Sequence, residues 1–131
     1  MNLRQLAFDA LLLRPHDEKC AAARAVAAIA STVDERQMAA PDRRRLANEA
    51  LPGRAARPPL VPPAQLARRP VNSVAGRAAL FHSLAHIELN AVNLALDIVW
   101  RFDDLPAHFY RQWIGVAREE ADHFELLHQH L

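Results

Sequence analysis

Two long stretches of helical period, Val74–Phe102 and Leu105–Leu131, meet at a short acidic junction, Asp103-Asp104. Each repeats apolar residues at spacings of three and four, which is the signature of a helix with a buried side. The pattern predicts one helix from Val74 to Phe102 and another from Leu105 to the C-terminus, with Asp103 and Asp104 as acidic capping residues and Pro106 in the first turn. A connection of two to four residues leaves two such helices one arrangement, side by side and antiparallel.

The 131 residues suffice for one compact domain, and frequent alanine with only three glycines favours helix over sheet. Leu3, Leu6, Ala7, Ala10 and Leu11 give a first helix over residues 2–13, ended by Pro15. A second is expected from Asp17, as its cap, through Ala30, and a weaker third over Pro41–Ala50. Leu51–Pro70 holds six of the nine prolines, so it reads as an extended strap or a linker. The expected class is all-α, divided into an N-terminal helical segment (1–50), a proline-rich strap (51–73) and the hairpin (74–131).

Net charge is only +1, yet residues 1–70 carry twelve Arg and Lys against seven Asp and Glu, whereas residues 71–131 carry four against eight. Six of the seven histidines follow residue 80, so chemistry is sought in the second half. One cysteine, Cys20, makes no internal disulfide and no multi-cysteine metal site, which suits a reducing cytoplasm. No apolar run reaches the ~20 residues of a membrane span. Met1–Leu13 contains Arg4 and Asp9 and lacks a small-residue cleavage site, so it does not read as a signal peptide. No glycine-rich phosphate loop or G-x-S-x-G motif is present.

On the first hairpin helix one seam runs Phe81, Ala85, Glu88, Val92, Ala95, Val99, Phe102, and beside it another runs Leu80, Leu84, Ile87, Ala91, Leu94, Ile98. Glu88 stands in the middle of this wide apolar arc, with Ser83, His86, Asn90, Asn93 and Asp97 expected on the solvent side. A carboxylate there costs several kcal/mol (order of magnitude) unless it is paired, protonated or bound to a cation. The second helix runs Phe109, Trp113, Val116, Glu120, His123, Leu127, with Arg111, Arg118, Asp122 and Glu125 pointing away. Folded about Asp104, the hairpin sets Glu88 against Glu120 and Ala85 against His123, roughly 24 Å from the turn at ~1.5 Å per residue. Two carboxylates so placed repel, and either protonation or a divalent cation relieves them. Mixed carboxylate and imidazole ligands suit iron or manganese better than zinc. Glu88 with Glu120-Ala-Asp-His123 is half the ligand set of a di-iron carboxylate bundle.

The stretches His86-Ile-Glu-Leu-Asn-Ala-Val-Asn-Leu-Ala-Leu-Asp-Ile-Val-Trp-Arg-Phe102 and Phe109-Tyr-Arg-Gln-Trp-Ile-Gly-Val-Ala-Arg-Glu-Glu-Ala-Asp-His-Phe-Glu-Leu-Leu127 resemble a bacterial ferritin-like family of unknown function. So does the strap Pro52-Gly-Arg-Ala-Ala-Arg-Pro-Pro-Leu-Val-Pro-Pro63. The resemblance implies a ferritin-like bundle with Glu88, Glu120 and His123 as metal ligands. Family members continue with a second helix pair bearing another Glu and Glu-x-x-His, whereas this sequence stops at Leu131. Either a two-fold dimer or a separate helix pair is then expected to complete the site.

Other features take plainer readings. His86 and Glu119 are expected at the surface, and Glu125-Leu-Leu-His128 is expected to face outward as a coincidental repeat. Phe109, Trp113, Phe124 and Cys20 are assigned to the core, and Arg43-Arg44-Arg45 to a solvated helix face. The leading expectation is a di-iron or manganese carboxylate protein of oxygen or redox chemistry, acting on a small molecule the residues do not name. A non-catalytic helical interaction module or an inactive truncated ferritin-like protein is the alternative, and an RNA-associated role for the basic front is the weakest reading.

Overall fold

A computed structural model describes residues 1–44, 51–55 and 72–129. Among them the chain is all-α, with four helices: α1 (Leu3–Leu12), α2 (His16–Ala30), α3 (Val74–Arg101) and α4 (Ala107–Gln129), and a short 3-10 turn at Glu35–Met38. No helix there is long and apolar enough to cross a membrane.

Local chemistry sets the ends. The Asn2 side chain accepts from the Arg4 and Gln5 amides and starts α1. Ser73 does the same for α3 through the Gly76 amide at 2.9 Å. α2 begins at His16, directly after Pro15, so Asp17 lies in the first turn and does not cap it; there its charge complements the positive end of the helix. The helix expected at Pro41–Ala50 is not formed over residues 41–43, and residues 45–50 lie outside the described residues, as does most of the proline-rich strap.

α4 starts two residues later than expected, past Pro106. Asp103 is occupied elsewhere, paired with Arg4 and Arg43, and Asp104 takes a left-handed φ of 60° that a short polar side chain tolerates. The Tyr110 hydroxyl closes the corner, donating to the Phe102 carbonyl at 2.7 Å and accepting from the Leu105 amide.

That corner is held by α1. Arg4, 1% exposed, donates from Nε to the Val99 carbonyl and from its guanidinium to the carbonyls of Trp100 and Phe102 and to Asp103. Carbonyls at the end of a helix have no partner within it, and a cation suits their negative pole. Arg43 adds to the same cap, donating to the Trp100 carbonyl at 2.9 Å and lying over the Trp100 ring. It is therefore not part of a solvated helix face. Arg111 plays the corresponding role for α2 through the Ala30 and Val33 carbonyls, so it faces α2 and not away.

One core joins all four helices, built from Leu3, Phe8, Leu11, Ala23, Leu96, Val99, Ile114 and their neighbours. Each fully buried aliphatic side chain contributes roughly 1.5–3 kcal/mol. Phe8 meets Trp100 edge-on at 4.9 Å. Cys20 and Phe124 are buried, as expected, while Phe109 and Trp113 are half-buried.

The covered side of α3 departs from expectation. Asn93, expected in solvent, is 5% exposed and accepts from Lys19 at 2.6 Å. Leu80, Leu84, Ile87 and Leu94, expected inside, are exposed. The reason is that α3 is apolar on two sides, and α4 and α1, with a smaller share from α2, pack on the side carrying Val92, Leu96, Val99 and Trp100.

Candidate metal centre

Glu88 sits near the middle of α3, and Glu120 and His123 stand one turn apart on α4. The antiparallel hairpin brings all three to one level. Nδ1 of His123 lies 3.7 Å from Glu88 Oε2 and 3.5 Å from Glu120 Oε2. Each residue offers one ligand atom within 4.8 Å of the others, and no other three such side chains among the described residues meet this condition.

The site is less enclosed than the sequence pattern implies. Glu88 and Glu120 are about a quarter exposed and His123 about half, because the neighbouring leucine stripe of α3 is uncovered. Glu88 Oε2 is nevertheless sealed from water and has no hydrogen-bond partner. A buried acceptor without a donor costs roughly 1–3 kcal/mol, more when charged. It is relieved by a proton or by a cation between the three groups. Two carboxylates and one imidazole are hard and borderline donors, fitting a divalent first-row ion with oxygen preference such as iron or manganese.

Glu119 and His86 take no part; Glu119 is well exposed and His86 half-buried. Asp122 and Glu125 do not point away from the fold but toward α2, where both pair with Arg24. His128 likewise packs against α2, with its ring 4.9 Å from that of His16. Charged residues on this side of α4 carry no apolar period, so their partners on α2 left no mark in the sequence.

Two further groups escaped the sequence reading. Lys19 is 1% exposed, donates to the Gly53 carbonyl and to Asn93, and is held down to about pKa 8 by burial, with Arg54 adding to the effect. It pins residues 51–55 to α3, where Arg54 also donates to Asn90. Arg4 is the other. A charged residue within an otherwise apolar helical seam was the available signal for both.

Residues 14–131 match the model of a family described as "Protein of unknown function (DUF455)". An uncharacterized protein of Haemophilus influenzae is 43% identical over 82 residues, which cover 57% of this chain and 28% of the relative. The matched portion is thus less than a third of that relative's length. No solved structure matches. Neither description assigns an activity or a cofactor.

Proposed function

This chain belongs to that family of unknown function, and from that premise we propose that it carries one ligand set of a ferritin-like di-iron carboxylate centre, with manganese as the alternative ion. The observation that supports this reading is the sealed, unpartnered Glu88 Oε2 beside Glu120 and His123. Glu88 and Glu120 would bind through carboxylate oxygens and His123 through a ring nitrogen. Bound iron would supply one-electron oxidation chemistry, directed at dioxygen, at iron itself or at a small organic substrate. The apolar residues flanking Glu88 would limit water at the centre once covered.

One Glu and one Glu-x-x-His are half of a two-metal carboxylate set. In this reading, a second copy of the hairpin or a further helix pair supplies the rest, seated on the exposed Leu80, Leu84, Ile87 and Leu94. The same stripe favours the second reading, a helical interaction module without catalysis. The lone buried thiol accords with a reducing cytoplasm.

Elemental analysis of the size-exclusion peak after anaerobic iron loading tests this. About one tightly held iron per chain is expected, lost in Glu120→Ala and His123→Ala with helicity retained. Equal iron in wild type and both variants would overturn the metal assignment. Absence of iron on a well-folded peak would leave the interaction module.

A further inference from the structure

Glu125-Leu-Leu-His128 repeats the Glu-x-x-His spacing on the side of α4 away from the first cluster, and the fold turns it toward the first turn of α2. There His128 meets His16 with ring centroids 4.9 Å apart and planes inclined at 64°. The two residues lie at opposite ends of the chain, so this pairing is made by the tertiary structure. Phe124 backs both rings, stacked on His128 at 5.4 Å and edge-on to His16 at 5.1 Å. Cys20, one turn along α2 from His16, lines the same cleft of about 300 Å³.

We propose that His16 and His128 form a second cation site, a two-imidazole site for a borderline divalent ion of the zinc class, bounded by Cys20 and Glu125. The proposal is independent of the Glu88 cluster.

Two imidazoles on one tetrahedral ion, at ~2.0–2.1 Å from each nitrogen, stand with centroids roughly 5 Å apart. The observed separation matches. Aromatic packing alone does not account for the pair, because Nδ1 of His16 is buried without a hydrogen-bond partner. An imidazole placed for structure alone usually has both nitrogens satisfied. The surroundings favour a cation as well. With neutral imidazoles, Asp17 and Glu125 outweigh the single positive charge of Arg24 at the cleft. Burial and the neighbouring His128 lower the pKa of His16, keeping it in the uncharged form that ligates. Burial raises the Cys20 thiol to about 11, so at neutral pH it is an uncharged wall of the cleft. A pair of imidazoles suits a borderline ion such as zinc, whereas the carboxylate-rich Glu88 cluster suits iron or manganese. An ion here ties the start of α2 to the end of α4.

Zinc titration of the full chain, followed through imidazole ¹⁵N resonances, tests the site. His16 and His128 are expected to shift together and saturate with one equivalent, while His123 reports the other cluster separately in the same spectrum. His128→Asn, at an exposed position in the last turn, is expected to weaken zinc binding at His16 at least tenfold, as is His16→Asn. Zinc should also raise the melting temperature of Glu120→Ala protein, and that rise should vanish when His128→Asn is added. His16 and His128 resonances unmoved by zinc, or moved equally well in His128→Asn protein at His16, would overturn the proposal.

Discussion

His123 Nδ1 stands 3.7 Å from Glu88 Oε2, an imidazole of one helix facing a sealed carboxylate oxygen of its antiparallel neighbour. The pair is too long for a strong hydrogen bond and too close for indifference. In the proposed reading a proton or a metal ion stands between them.

Replacing that carboxylate separates the two occupants. Glu88→Gln is expected to raise the stability of the metal-free chain, by up to about 1 kcal/mol, since one of two repelling acids is removed. The same change should abolish the rise in melting temperature on adding Fe²⁺ or Mn²⁺. Thermal melts with and without metal check both halves. A variant that keeps the metal-induced rise would exclude Glu88 as a ligand.

Arg4 caps α3 from within the core, so Arg4→Met strips the Val99 carbonyl of its donor and leaves the Trp100 carbonyl and Asp103 to Arg43 alone. We expect a loss of about 3 kcal/mol or more, read from urea unfolding. Arg36→Met, at a well-exposed position, is the control and should change little. Arg43 and Arg4 together hold the Asp103 carboxyl at about pKa 2, below its ordinary value. A lowered acid stabilises above the unfolded-state pKa of about 3.9 and loses that contribution as pH falls toward 2. Asp103→Asn should therefore flatten the stability change between pH 4 and 2.

Lys19 and Cys20 set opposite slopes in alkali. Burial lowers Lys19 from 10.5 to about 8, so above pH 8 the unfolded chain holds a proton the folded chain has released, and stability rises with pH. Burial raises Cys20 from 9.0 to about 11, so above pH 9 the folded chain holds the extra proton and stability falls. Stability is expected to rise between about pH 8 and 9, to level off between about 9 and 10.5 where the two slopes cancel, and to fall toward 11. Cys20→Ala should extend the rise toward 10.5, and urea midpoints across this range would show an unchanged profile if the thiol were not buried.

Two glycines make a matched pair. A Cβ at Gly53 would lie 2.1 Å from the Leu12 carbonyl oxygen, and the Gly53 amide donates to Leu11 at 2.9 Å. Backbone cannot yield there, so Gly53→Ala should cost about 1–3 kcal/mol and free the Lys19 contact. Gly115, within α4, has open space at its Cβ, and Gly115→Ala should gain roughly 0.5–1 kcal/mol. Chemical unfolding distinguishes the signs.

The uncovered stripe of α3 predicts association. Ile87, 60% exposed, projects from a helix whose opposite side is already buried. Ile87→Glu should shift sedimentation toward monomer without loss of helicity. An unchanged sedimentation profile would remove this face as the contact.

Helical periodicity alone specified the hairpin and the level of its polar residues. Helical rise is fixed and the turn at Asp103–Pro106 is short, so Glu88, Glu120 and His123 had to meet once both helices formed. Apolar periodicity likewise located α1, α2 and the ends of α3 to within a residue or two. It did not decide which side of α3 faces inward, because Leu80, Leu84, Ile87 and Leu94 satisfy a burial pattern as well as Val92, Leu96 and Val99 do. Tertiary structure made that choice by placing Lys19 against Asn93 and Arg4 against the end of α3. Those contacts run from a single side chain to backbone carbonyls or one amide, and such pairing follows no period. The same is true of His16 and His128, which only the packing of α2 on α4 brings together.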